Sequence, residues 1–365
     1  MKIGVDLRAF DTPKFSGVKI YLESLLTEIL RADRQNQYIL WWNSKHRCNF
    51  VLPKNSRGKI LHTHFSNRLL NLGFWSQKIT LEKILKTTLD VFWLPDPRPI
   101  FAPQTKIITT FHDLSFLRYP GFFSFKTRLW HKFLRAKELA LNSHRILAVS
   151  RFTAQELQTC FGIDPRKISV TSLATNLQKP GSNVVKQVRR KFGLPPNFIF
   201  AIGTLERRKN FRFLAQAVAQ LKAGFKFKTE FVLAGEADPR IFTKVCLPKF
   251  VRQIGRVSEV EKAALFVEAD VVVVPSLYEG FGLPVLEALQ MGAPLVVARI
   301  PALSEVTENC AAFFDPRNLD SLVLALAKVL TDSDFQHQIV RAGRVRAADF
   351  SWQRTAQKTL EAFSS

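Results

Sequence analysis

The sequence predicts an α/β protein built from two doubly wound, parallel-sheet domains. Three observations lead there. Short apolar runs rich in β-branched and aromatic residues alternate with helical periodicity along the whole chain, the pattern of strands joined by crossover helices. A polar, basic, proline-containing stretch at 177–197 (LQKPGSNVVKQVRRKFGLPPN) interrupts that alternation once, near the middle. The length of 365 residues, 47% of them apolar, is long for one domain and sufficient for two cores.

In the first part, strands are expected at Lys2–Asp6, Tyr38–Trp42, Val91–Leu94, Lys106–Thr110, Arg145–Val149 and Ile168–Ser172. Helices fall between them, notably Lys19–Leu30, Lys126–Asn142 and Ser150–Phe161. Residues 177–197 read as a linker carrying one short helix, because proline and glycine punctuate them. A second series starts at Phe198–Gly203 and continues through Thr229–Ala234, Arg252–Gly255, Asp270–Pro275, Pro294–Arg299 and Ala311–Phe314. From Leu319 onward the chain is helical. The domains expected are therefore 1–176 and 198–346, with a last helical segment at 347–365.

Composition narrows the function classes. Lys and Arg number 53 against 30 Asp and Glu, a net charge of +23. Residues 1–180 hold 28 of those cations and 12 of the acids, so the first domain carries most of the excess. Such a field favours an anionic substrate or surface and says nothing about fold. No uncharged apolar run reaches the roughly 18–20 residues that span a bilayer, and the opening MKIGVDLRAF is no secretory signal. Four scattered cysteines form no C-x-x-C pair, which argues against a disulfide framework or a zinc site and for a cytoplasmic setting.

The most informative stretch is Pro275–Pro294, PSLYEGFGLPVLEALQMGAP. It follows Val271–Val274, four β-branched residues typical of a strand buried on both faces. Gly280 and Gly282 allow a tight turn or close approach to a ligand. Pro284 suits the first turn of a helix, where its missing N–H would have no partner. One carboxylate, Glu279, then precedes the helix and a second, Glu287, lies inside it. Taken alone, this is also compatible with an ordinary strand–turn–helix unit bearing two surface glutamates.

The whole string resembles, almost residue for residue, the Glu-x7-Glu signature of the retaining glycosyltransferases of family 4, which read PSxxEGFGLPxLEAMAxGxP. Leu289-Gln290-Met291 stand where Met-Ala-x is usual. The resemblance implies the GT-B fold, two Rossmann-like domains facing across a cleft, with the last helix crossing back to the first domain. It implies a nucleotide-diphosphate-sugar donor held by the second domain and a glycan or polyprenyl-linked acceptor at the first.

Further segments carry the same resemblance. Gly203-Thr-Leu-Glu-Arg-Arg-Lys-Asn210 is similar to the family's GTLxPRKN element, whose lysine meets the donor diphosphate. That role falls to Lys209, with Arg208 as a second cation; Arg207 stands where proline is usual. Three cations at a helix start oppose the helix dipole unless an anion binds there. Gly255-Arg256-Val257-Ser258 matches a loop that passes the nucleotide base, and Ser258 also reads as a plain N-cap. Gly280, Phe281, Gly282 and Leu283 are implied in donor binding, with Glu279 near the sugar and Glu287 on the ribose. In the first domain, Phe15-Ser-Gly-Val-Lys-Ile-Tyr21 resembles the family's Gly-Val-Gly-Arg-Tyr loop, which assigns Gly17 to the donor. Lys19 and Ile20 stand where the second glycine and the arginine are usual. Thr110-Phe-His-Asp-Leu-Ser115 resembles the family's HDL segment, which places His112 beside the reaction centre.

The catalytic set implied is His112, Glu279 and Lys209. The single Asp-x-Asp, Asp332-Ser333-Asp334, lies in the helical tail away from the resembled motifs, and no ligand-spaced cluster accompanies those motifs, so neither a metal nor another cofactor is expected. Surface-polysaccharide synthesis with a hexosyl donor, mannosyl by analogy, is the nearest function. The alternatives are a catalytically weakened nucleotide-sugar-binding protein, suggested by Lys19, and a basic nucleic-acid-binding protein, suggested by the charge but lacking any recognition module. Residues 122–140 (FFSFKTRLWHKFLRAKELA) place Phe125, Leu129, Phe133 and Ala136 on one helical stripe, expected to face the core. The same stretch, with five cations, also suits an anionic inner-leaflet surface.

Overall fold

Parallel strands require crossover connections, and the alternating sequence supplies them. Residues 1–11, 17–225, 227–238 and 246–365 are described by the computed structural model. They divide into one unit of Met1–Leu114, Leu129–Leu173 and Ser351–Ser365 and another of Ser115–Arg128 and Ala174–Phe350.

In the first unit the strands are β1 (Lys2–Asp6), β2 (Gln37–Asn43), β3 (Gly58–Thr63), β4 (Val91–Leu94), β5 (Lys106–Phe111), β6 (Arg145–Ala148) and β7 (Ile168–Val170). They form one parallel sheet in the order β3-β2-β1-β4-β5-β6-β7. The helices along this part of the chain are α1 (Gly17–Ala32), α2 (Asn67–Trp75), α3 (Leu81–Leu85), α4 (Ser115–Arg118), α5 (Phe125–Leu134), α6 (Ala136–Asn142) and α7 (Arg151–Phe161). The second unit repeats the plan with α8 (Ser182–Phe192), β8 (Phe198–Ile202), α9 (Phe211–Phe225), β9 (Glu230–Ala234), β10 (Arg252–Gly255), α10 (Glu259–Glu268) and β11 (Val271–Val274). It continues with α11 (Leu283–Met291), β12 (Leu295–Ala298), α12 (Pro301–Thr307), β13 (Ala312–Phe314), α13 (Leu319–Thr331) and α14 (Ser333–Ala347). Its sheet, also parallel, runs β10-β9-β8-β11-β12-β13. The final helix, α15 (Trp352–Ser364), belongs to the first unit: it lies against α1, and the Thr355 hydroxyl donates to the Ser172 carbonyl over 2.6 Å.

Burial on both sheet faces explains the near-continuous apolar strands, β11 being Val-Val-Val-Val with all four residues buried. Where the structure departs from the sequence expectation, the cause is local. β3 was not foreseen, because its edge position leaves GKILHT half exposed and without an apolar run. The expected helix Lys126–Asn142 is two helices, α5 and α6, broken at Arg135, whose φ of 49° is left-handed. The break changes the helical phase only for Ala136; the stripe expected in the core already fails within α5, where it faces outward. Phe125 is 72% exposed and Leu129 60%, while Ala136 is buried. The 177–197 segment contains α8, and ion pairs from Arg189 to Glu268 and from Lys191 to Glu261 fasten that helix to α10.

Candidate active site

The second sheet reverses its strand order between β8 and β11. In an open parallel sheet the loops leaving two such strands diverge and open a crevice at their carboxyl ends. Those loops here are residues 203–210 and 275–282.

After β8, Arg207–Lys209 form a single 3-10 turn with Glu206 at its N-cap, and Asn210 (φ 57°) resets the chain before α9. Arg207 occupies the first position of this turn, where a proline would also fit because no N–H bond is needed there. After β11, Gly282 turns the chain at φ +98° into α11, with Pro284 in the first turn. A Cβ at Gly282 would stand 2.4 Å from Leu303 Cδ2. One backbone bond, Leu277 N–H to the Arg208 carbonyl (2.8 Å), stitches the two loops together.

Side chains complete the junction. The Lys209 ammonium donates to Glu279 Oε1 (2.6 Å), which also accepts from the Ser276 hydroxyl (2.7 Å). Arg208 donates from Nη1 to Glu279 Oε2 (2.8 Å) and to the Tyr278 carbonyl (3.0 Å), and from Nη2 to Glu206 Oε1 (2.7 Å). Burial would raise the Glu279 carboxyl, but the Lys209 and Arg208 charges and the bonds from Lys209 and Ser276 hold it down to about 2. It is a fixed carboxylate. Glu206 behaves oppositely: burial raises its pKa against the pull of Arg208 and Lys209. The three cations at a helix start are thus answered in part by the chain's own acids.

Glu287 lies within α11, as expected, and is buried. Lys262 of α10 reaches it over 2.5 Å and also contacts Glu259 at 3.0 Å. Burial pushes Glu287 up to about 7 despite Lys262. Lys262 is itself raised, its burial outweighed by the two glutamates. Gly203, Gly235 and Gly255 end three adjacent strands of this sheet with positive φ. Gly235 has no room for a side chain, since a Cβ there would meet the Gly203 carbonyl oxygen at 1.9 Å. Arg256 points to Glu236 (2.8 Å), and Val257 precedes Ser258, which caps α10 through a capping box with Glu261.

In the first unit, Gly17 and Lys19 are already in the first turn of α1; Phe15 and Ser16 lie outside the described residues. Tyr21, four residues after Gly17, is buried, with its hydroxyl 3.2 Å from Thr110 Oγ1 and its ring edge-on to His112 at 4.8 Å. His112 follows β5, and its Nε2 is 2.8 Å from the Pro95 carbonyl. A carbonyl only accepts, so Nε2 carries the proton and Nδ1 keeps its lone pair. Burial lowers the His112 pKa, which the Pro95 bond opposes in part, so the ring is neutral at pH 7. Among the described residues, no group of three or more His, Cys, Asp and Glu is placed to hold a metal ion.

Comparison with known families decides what this arrangement belongs to. The family described as glycosyl transferases group 1 matches residues 185–346, and the one described as glycosyltransferase family 4 matches 16–179. The chain is a group 1, family 4 glycosyltransferase. Over 267 residues it is 28% identical to the O-antigen chain mannosyltransferase B of Escherichia coli, covering 71% of this chain and 70% of the relative. It is 29% identical over 245 residues to an MMP alpha-(1->4)-mannosyltransferase of Mycolicibacterium hassiacum, covering 65% of this chain and 58% of that protein. Solved structures agree on the GT-B fold. Anabaena HepE in complex with UDP-glucose superposes with a TM-score of 0.74 at 16% identity, over 100% of this chain and 99% of its own. WaaG, a glycosyltransferase involved in lipopolysaccharide biosynthesis, gives 0.69 at 15% identity, with 100% of each chain covered.

In this glycosyltransferase the structure brings Arg208, Lys209 and Glu279 into one network, with Gly280–Leu283 following directly along the chain. Sequence reasoning missed three members. Ser276 sits within the quoted motif but carries no spacing signal. Glu206 is adjacent to the basic run yet buried, which a residue before three cations does not announce. Lys262 is a helix-interior lysine whose partner is 25 residues away, so only the fold reveals the pair.

Proposed function

We propose that this glycosyltransferase moves a hexose from a nucleotide-diphosphate sugar to a glycan or lipid-linked acceptor, with retention of anomeric configuration and without a metal. One observation carries the donor assignment: Lys209 and Arg208 converge on Glu279 at the switch point of the second sheet, beside the glycine-capped start of α11. As the C1–O bond breaks, negative charge grows on the leaving diphosphate. In this reading Lys209 and Arg208 meet that charge, a task often given to a divalent cation. The first-turn amides of α11 add the positive end of a helix dipole.

Glu279 stays ionised and would hold hydroxyls of the sugar while aiming the two cations. Glu287 would accept from the ribose hydroxyls, as acids do in other nucleotide folds. Phe281, Arg256 and Val257 would line the rest of the donor site. Retention without an evident nucleophilic carboxylate in the first unit favours front-face substitution, with neutral His112 offering Nδ1 as an acceptor near the sugar. The relatives named as mannosyltransferases support mannose as the sugar and surface polysaccharide as the product class.

Thermal-shift titration with UDP-, GDP- and ADP-sugars identifies the donor, and product anomers are then read by NMR. Glu279→Ala or Lys209→Ala enzymes that transfer sugar at near wild-type rate would overturn the assignment. Strong inhibition by a chelator, reversed by a divalent ion, would overturn the metal-free step. Donor binding with no transfer to any acceptor would instead favour the weakened binding protein that Lys19 suggests.

A further inference from the structure

Large apolar side chains scattered singly over a surface are ordinary. In the first unit they are gathered on α2 and on the Leu129–Leu134 part of α5. α2 exposes Leu69 (68%), Leu72 (53%) and Trp75 (43%), spaced three residues apart along one side of the helix. Trp75 stacks on Phe133 of α5 at 6.0 Å, Phe133 contacts Trp130 at 5.5 Å, and Trp130 (40%) and Leu129 (60%) are themselves exposed. The patch is therefore continuous between the helices at the Trp75–Phe133 contact.

Its electrostatic setting is predominantly basic. Residues 34–81, which include α2, contain eight Lys or Arg and no Asp or Glu. Residues 129–137, the first-unit part of α5 and the turn after it, contain three more and again no acid; Glu138 follows, ion-paired with Arg135 at 3.1 Å. Arg135 lies over the Trp75 ring at 4.6 Å, and exposed Arg68 and Lys132 flank the leucines along the two helices. Among the described residues no helix is long and apolar enough to cross a membrane.

We infer that the α2–α5 face docks on the surface of an anionic lipid bilayer, with Leu69, Leu72, Leu129 and Trp130 entering the headgroup boundary and Arg68 and Lys132 meeting the phosphates. This occupant alone satisfies both features. Exposed leucines offer nothing to a nucleic-acid backbone. A two-fold pairing of two copies would press the same cations against each other. An interfacial helix face needs apolar anchors together with an excess of basic side chains, which is the composition here. Each cation near an anionic surface adds about fivefold to partitioning, and each buried leucine about tenfold.

The test uses the full-length protein and vesicles of phosphatidylcholine with or without phosphatidylglycerol. The protein is expected to sediment with the anionic vesicles and to lose about fivefold in partitioning for Lys132→Ala. The double variant Leu72→Ser/Leu129→Ser, both sites being exposed, should fold normally by circular dichroism and lose about a hundredfold. Of six tryptophans, only Trp75 and Trp130 are exposed, while Trp41, Trp42, Trp93 and Trp352 are buried. Brominated acyl chains should therefore quench the fluorescence of Trp75 and Trp130, and Trp130→Phe should remove much of that quenching. Failure to bind anionic vesicles overturns the inference. So does binding that the leucine variants leave intact, which would be mere adsorption of a cationic chain. Concentration-dependent self-association abolished by the same leucine variants, without vesicle binding, would assign the face to a second copy. None of these readouts depends on sugar transfer.

Discussion

The Lys209 ammonium and the Glu279 carboxylate lie 2.6 Å apart across a separation of 70 residues. Two loops that leave different strands are thereby tied where the sheet order reverses. Because Arg208 still holds Glu279, Lys209→Ala is expected to fold. Its transfer rate should fall by about 10²–10³-fold, the usual loss when one preorganised donor to a developing anion is removed. Steady-state kinetics check this; a change confined to KM would restrict Lys209 to ground-state binding.

Glu279 also makes stability depend on pH. Its folded pKa of about 2 lies below the ordinary 4.5. The folded state thus holds this proton less tightly than the unfolded chain. The stabilisation is complete above about pH 4.5 and is lost as pH falls toward 2, amounting to about 3 kcal/mol at most. Urea unfolding of wild type and Glu279→Gln between about pH 6 and 3 should show that part of the slope vanish in the variant.

Glu287 has the opposite sign. A carboxyl raised to about 7 contributes stability below about pH 4.5 that is lost as pH rises through 7. For binding, only its ionised form gives the ribose a full acceptor pair. Affinity for the nucleotide sugar should therefore rise between about pH 6 and 8, and Glu287→Gln should flatten the profile while weakening binding throughout. Isothermal titration at several pH values measures both effects.

Two glycines are expected to resist substitution for different reasons. Gly282→Ala forces a side chain into left-handed backbone and against Leu303, a flexible neighbour, costing about 1–3 kcal/mol. Gly235→Ala would collide with the Gly203 carbonyl at 1.9 Å. Backbone cannot swing aside, so the loss should be larger. Equilibrium unfolding of the two variants compares them.

Much of this was legible in the sequence, for identifiable reasons. Buried parallel strands such as β11 announce themselves because both faces demand apolar residues, and Gly282 and Pro284 mark a helix start by their backbone chemistry. The Glu279–Glu287 spacing was read as one site because strand, turn and helix lie close in sequence; the structure gives the two carboxylates separate partners, Arg208 and Lys209 for Glu279 and Lys262 for Glu287. Pairings across the fold were silent: nothing local tells that Lys262 faces Glu287 or that Gly235 meets Gly203. Edge strand β3 escaped because a half-exposed strand carries little apolar signal. The stripe at Phe125 and Leu129 misled, since periodicity gives the face of a helix and not what that face meets.

The mutual hold of Arg208, Lys209 and Glu279 also bears on which ions the proposed donor site would admit. Cations already engaged by a carboxylate have little attraction left for a small anion, which would have to compete with Glu279 and offers no sugar in exchange. A ligand that carries hydroxyls for Glu279 as well as phosphates for the cations can replace every bond it disturbs. On the proposed reading, the lock would therefore filter on two chemistries at once and disfavour either half presented alone.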